Sequence, residues 1–282
     1  MQMILHPPWP HLLVAALYSG LAGHFWRSRW RGALLDQPIS GLVIWERAVL
    51  LFALVLHGLT VASELFPQNG TSMRFGFSVA LSMMTWLAVA LYWIESFYAR
   101  MEGLQMLGLP LAALCGLLPW LIPGQHELPN ADSPFFRMHF LMAMFAYSLF
   151  TLAAMHAILM AITEQRLHRG RLTPLLAGLP PLLTMEALLF RLISIAFTLL
   201  TLTLLSGALF SEQIFGKPLP FNHKTVFAVI SWLIFGALLA GRHRYGWRGR
   251  MALRWTLTGF GVLLLAYVGS RFVLEVILGR PL

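Results

Sequence analysis

Charge is what this sequence has least of. Only 11% of its 282 residues are Asp, Glu, Lys or Arg, where a soluble domain carries roughly 25%, and 58% are hydrophobic. That balance excludes water as the main solvent. Cysteine is limited to Cys115, inside an apolar block, which excludes an intrachain disulfide, a CxxC motif and a cysteine-ligated metal site. No Lys or Arg precedes Arg27, so the first apolar stretch lacks the basic start of a signal peptide and is expected to be a retained helix entering from the outer side. Linkers, low-complexity tracts and repeats of solenoid period are also missing.

What is present is a series of apolar blocks, each near the length that crosses a hydrocarbon core about 30 Å thick. They predict an all-α fold, a polytopic membrane helical bundle of about eight transmembrane helices. The spans are expected near 10–26, 48–64, 76–94, 104–122, 136–162, 185–210, 225–241 and 253–276, in one integral membrane domain over 1–282. A net charge of +9 would suit nucleic acid, but the basic residues sit in short clusters between apolar blocks and not on one polar face. No nucleic-acid partner is expected; the lipid bilayer is.

Alternate loops carry Arg27, Arg29, Arg31 and Arg47, then Arg100, then Arg166, Arg169 and Arg171, then Arg242, Arg244, Arg248, Arg250 and Arg254, thirteen in all. The opposite side carries six: Arg74, Arg137, Lys217, Lys224, Arg271 and Arg280. Short basic loops stay cytoplasmic, so an even span count puts both termini outside. The apolar stretch 174–183, with Pro180 and Pro181, reads as a segment along the cytoplasmic interface or as a simple turn.

Within the spans, Ala15, Ser19 and Gly23, then Ser78, Ser82 and Thr85, then Arg191, Ser194, Thr198 and Thr201 form stripes at helical spacing. Small and hydroxyl residues at such spacing are expected to face other helices. Arg191 is close enough to the cytoplasmic end to snorkel, and His24, His156, His168 and His243 read as interfacial. His57 lies well inside the second span, with Thr60 and Glu64 following at three and seven residues. It is either a hydrogen-bonded structural histidine or a ligand or proton relay. On the expected outer side, His139 follows Arg137 at the mouth of the fifth span, and His223 beside Lys224 opens the seventh. Neutral imidazoles are iron ligands, and the adjacent cations would pair with haem propionates.

Four stretches carry a family resemblance: FRMHFLMAMFAYSLFTLAAMHAILMA (136–161), LLFRLISIAFTLLTLTLLSGALFSE (188–212), HKTVFAVISWLIFGALLAGRHRYGWRGRMALRW (223–255) and TGFGVLLLAYVGSRFV (258–273). In order and spacing, the region 136–273 resembles the core of the cytochrome c assembly superfamily. These are haem-handling membrane proteins of CcsA and CcmC type, and the likeness is greatest to the shorter YpjD/HemX-like branch. The resemblance implies haem as cofactor or cargo and His139 as the external haem-ligating histidine. FGKPLPFNHKTVF (215–227) occupies the place of the tryptophan-rich haem platform, with Asn222, His223 and Lys224 in place of its acidic core. Leu239, Ala240 and Gly241, and then Arg271 and Phe272, stand where that pattern has further histidines.

The expectation is therefore a protein of the bacterial inner membrane that handles haem on its outer face in cytochrome c assembly, with cytochrome maturation proteins as partners. No nucleophile and base pair suggests independent catalysis. The rival expectations are a non-catalytic membrane partner or regulator of tetrapyrrole metabolism without bound haem, and a small-solute transporter. The charge division makes a direct prediction about topology. A reporter enzyme active only outside the cytoplasm should be active when fused after Leu282 and inactive when inserted in the 242–250 loop. An inactive, expressed carboxy-terminal fusion overturns the orientation.

Overall fold

The computed structural model describes residues 7–30, 41–66, 73–99, 101, 103–123, 126–128, 131–169, 179–212 and 223–277. Residues 174–178 of the 174–183 stretch and the 213–222 segment lie outside the described residues. Among the described residues the fold is all-α, with eight helices: α1 Trp9–Phe25, α2 Ile44–Leu65, α3 Phe77–Glu95, α4 Leu104–Leu121, α5 Pro134–His168, α6 Leu182–Leu209, α7 His223–Tyr245 and α8, which starts as Gly249–Leu264. α1 runs on as a π-helix, Trp26–Trp30, and α8 continues through Leu265–Gly269 to Val273–Ile277. Seven of the eight, all but the 17-residue α1, are long and apolar enough to cross a membrane.

Local chemistry sets several boundaries. Pro134 opens α5 at the position where its missing N–H costs nothing. Gly103 precedes α4 at φ +107, a backbone state that favours glycine. At 35 residues α5 is about 50 Å long, more than the hydrocarbon core requires, and its last turn carries Arg166 and His168.

The helices pack as two four-helix groups. In the first, α1 lies against α4 and α2, and α3 against α4 and α2; in the second, α5 lies against α6 and α8, and α7 against α8 and α6. The α3–α5 contact, with a lesser one from α4, joins them. Burial follows: α5 has 78% of its membrane window buried and α3 67%, against 22% for α7, so α3 and α5 form the spine. In the second group, Phe150 stacks on Phe235 with ring centroids 4.0 Å apart. Phe235 fits because Gly259 has no side chain; a Cβ there would lie 2.9 Å from the Phe235 ring.

One end of the bundle, the Arg-rich end, is closed by ion pairs. Glu46 takes both ends of the Arg29 guanidinium at 2.9 and 2.8 Å, accepts from the Val43 N–H at 2.9 Å and meets His24 Nε2 at 2.8 Å. Glu186 pairs with Arg242 and Glu164 with Arg250, fastening α6 and α5 to the α7–α8 hairpin. The other end, the His139 end, is capped by a short antiparallel pair, β1 (Arg74–Phe75) with β2 (His126–Glu127). Below it Phe75, Phe140 and Tyr267 cluster, while Phe77 meets Phe272.

Three readings of the sequence are corrected. Ser78, Ser82 and Thr85 are buried as expected, but Ser19 and Gly23 are exposed on α1, whose buried face is instead His11, Val14, Ala15, Tyr18, Leu21 and Phe25. Ser194 and Thr198 also point outward. Their hydroxyls bond carbonyls of their own helix, so they gain nothing by seeking a neighbour. His156 is fully buried and not interfacial, because Glu95 of α3 supplies it with a partner at 3.1 Å.

Removing Glu46 should strand the buried Arg29 charge. Glu46→Ala is expected to cost about 3–5 kcal/mol, read as a lowered Tm of the detergent-solubilised protein. An unchanged Tm would show that the cluster contributes nothing to the fold.

Candidate functional site

His139 sits on the second turn of α5, where Pro134 fixes the start of the helix. Its side chain faces α6. Nδ1 lies 2.9 Å from Ser206 Oγ, and the Ser206 hydroxyl donates to the Thr203 carbonyl at 3.0 Å. α6 approaches this closely because residue 207 is glycine; a Cβ there would stand 3.3 Å from His139 Cε1. Phe135 stacks on Phe210 beside it at 4.9 Å, holding the ends of α5 and α6 together. Neither Ser206 nor Gly207 stood out in the sequence.

The other residues singled out in the sequence fall in three places. Arg137 is exposed, donating to the Ala131 carbonyl at 3.0 Å and to Asp132 at 3.2 Å, so its charge is directed to the α5 entry loop. His223 is the exposed first residue of α7. Lys224 Nζ lies 5.9 Å from the centroid of Tyr267 on α8, and the buried Arg271 guanidinium lies 5.8 Å from the same ring. The imidazole of His139 and the cations of α7 and α8 share the same end of the bundle.

His57 belongs to the other four-helix group and is fully buried. Its Nε2 lies 2.9 Å from Ser82 Oγ and its Nδ1 3.3 Å from the Tyr18 hydroxyl, so both ring nitrogens are engaged. Thr60 donates to the His57 carbonyl at 2.7 Å. Nothing local in the sequence singles out His11. It is buried, with Nδ1–H donating to the Gly116 carbonyl at 2.9 Å and Nε2 3.3 Å from Glu64. His156 repeats that design, with Nδ1–H on the Leu152 carbonyl at 2.9 Å and Nε2 on Glu95. In each, a carbonyl that can only accept calls for a proton on Nδ1, and Nε2 faces the carboxylate. No cluster of three or more His, Cys, Asp or Glu suited to a metal ion occurs among the described residues.

With that geometry the comparison with known proteins is specific. The family profile described as Cytochrome C assembly protein matches residues 45–278, which takes in α2 through α8. The chain belongs to the cytochrome c assembly protein family. It is 28% identical over 243 residues to the inner membrane protein YpjD of Escherichia coli, covering 83% of this chain and 89% of that protein. The cytochrome c biogenesis protein CcsA of Prochlorococcus marinus is 39% identical over 89 residues, covering 32% of this chain and 29% of CcsA. An uncharacterised 28.8 kDa protein of Azospirillum brasilense is 34% identical over 142 residues, covering 50% of this chain and 52% of that protein. No solved structure matches. The family likeness to YpjD thus extends over nearly the whole chain, while that to CcsA covers a limited stretch.

The bonding of His57 makes a prediction about its role. His57→Leu removes a partner from both Tyr18 and Ser82, at about 1–3 kcal/mol for each polar group left buried and unsatisfied. A fall in Tm with an unaltered environment at His139 is expected. A variant of unchanged stability overturns the structural assignment.

Proposed function

We propose that this membrane protein handles haem at the His139 end of the bundle, as part of cytochrome c assembly in a bacterial inner membrane. The proposed topology has eight spans with both termini and the His139 end on the outer side. The observation that carries the reading is the state of His139. A residue in the place of the family's external ligand has its Nδ1 turned to a hydroxyl acceptor, which suits a neutral imidazole ligating through Nε2. Membership of the cytochrome c assembly family and the likeness to YpjD, named as an inner membrane protein, support the setting.

Haem would supply a Lewis-acidic iron and two carboxylates. His139 meets the first requirement, and Lys224 is the cation that fits the second; Arg137, already directed to Asp132, fits it less well. His223, exposed at the start of α7, is the proposed second imidazole. The protein needs no covalent chemistry of its own for this task. It would bind haem, orient it and release it to a cytochrome maturation partner.

A second reading has specific support. Gly241 is closed off by the Trp247 indole, which a Cβ would overlap, and Arg271 stands near a place where the family pattern has a histidine. These substitutions favour a partner or regulator that keeps the family fold without carrying haem. Absorption spectroscopy decides between the two. Protein purified from haem-replete membranes should have a Soret band, reduced by His139→Ala and by His223→Ala but not by His168→Ala, whose ring lies at the Arg-rich end. Folded His139→Ala protein with undiminished haem would falsify the proposed ligand, and wild-type protein free of haem favours the second reading.

A further inference from the structure

Resting on the haem reading of His139, we propose that Ser206 is the positioning residue of this site. It holds His139 in the Nδ1–H tautomer and so presents the basic Nε2 atom to iron. The argument is one of proton counting. A serine has one hydroxyl proton, and that of Ser206 goes to the Thr203 carbonyl at 3.0 Å. The 2.9 Å contact between Ser206 Oγ and His139 Nδ1 must then be donated by the imidazole. That contact calls for a proton on Nδ1, and in a neutral imidazole the remaining nitrogen, Nε2, carries the lone pair.

Gly207 completes the arrangement. A Cβ at this position would lie 3.3 Å from Cε1, closer than ordinary packing, so the helix backbone itself flanks the ring. Ser206 sets the proton and Gly207 leaves room for the orientation. Ser206 is 6% exposed, so water does not readily take over its acceptor role. A donated Nδ1–H also makes Nε2 more basic, which strengthens its bond to iron; loss of such an outer partner typically weakens metal binding 10–100-fold.

The test uses the full-length protein and two independent readouts. In haem-free protein with 15N-labelled histidine, assigned by difference with His139→Gln, the wild type should have His139 in the Nδ1–H form. Ser206→Ala should shift it toward Nε2–H, and Ser206→Thr, which keeps a hydroxyl, should restore it. In haem titrations Ser206→Ala should bind 10–100-fold more weakly with a displaced Soret band, and Ser206→Thr should return both toward wild type. An Nε2–H tautomer in the wild type overturns the proposal. So does a Ser206→Ala protein that matches wild type in tautomer and affinity. Wild-type protein that has the Nδ1–H form but takes up no haem overturns the haem reading, and with it the ligand half of this proposal, while a haem-binding wild type with an indifferent Ser206→Ala overturns the role of Ser206 alone.

Discussion

In hydrocarbon no water is available to complete a hydrogen bond, so polar groups inside the bundle must find their partners within the protein. That constraint accounts for more of this structure than any packing rule. The buried histidines each have a named acceptor or acid: His11 has Gly116 and Glu64, His57 has Tyr18 and Ser82, His156 has Leu152 and Glu95. The span hydroxyls of Thr85, Ser148, Thr151, Thr163, Ser194 and Thr198 turn back to carbonyls of their own helix. Every such bond fixes a rotamer or ties one helix to another. The polar residues thus specify the register of a bundle whose apolar surfaces are poorly distinguished from lipid.

The same constraint connects the candidate site to the rest of the molecule. α5 carries His139 near one end and His156 toward the other, and it is the helix through which the two four-helix groups meet. At the Arg-rich end its position against α3 is set by Glu95 and His156, and at the His139 end by Phe75 and Phe140. A long helix held at both ends presents His139 from a rigid support, which is where a ligand is placed most accurately. The lining of the site comes from α6, one of the least buried helices, so the proposed ligand faces a peripheral wall.

The helices were legible in the sequence because block length and hydropathy are local properties: each expected span overlaps one of the eight helices among the described residues, seven of which are long and apolar enough to cross a membrane. Direction of facing was less so. The α3 stripe of Ser78, Ser82 and Thr85 points inward and the α6 pair Ser194 and Thr198 points outward, although both have helical spacing, because a hydroxyl that bonds its own backbone is indifferent to its surroundings. His11 was not singled out at all, and His156 was read as interfacial from its nearness to a span end. Their carboxylate partners lie 53 and 61 residues away, and no local pattern records a pairing across helices. Ser206 escaped notice for that reason too, as its role exists only once α5 and α6 are side by side.

The places where this chain lacks the further histidines that the family resemblance implies are themselves structured. At Gly241 the α7 backbone lies against the Trp247 indole, with the Trp247 N–H donating back to the Gly241 carbonyl at 3.3 Å. That turn leads directly into α8 and is held further by Arg242 on Glu186. A histidine there would force the indole out and open the hairpin, so its absence is built into the packing of the Arg-rich end. Arg271, in contrast, is a large cation buried beside Tyr267 at the His139 end, where it changes the charge near the candidate site and not its packing. On the proposed reading, such a site trades a neutral imidazole for positive potential. That exchange would remove an imidazole from α8 while favouring the acidic edge of a porphyrin, and it would leave His139, with its proton held by α6, as the proposed ligand on which the chemistry turns.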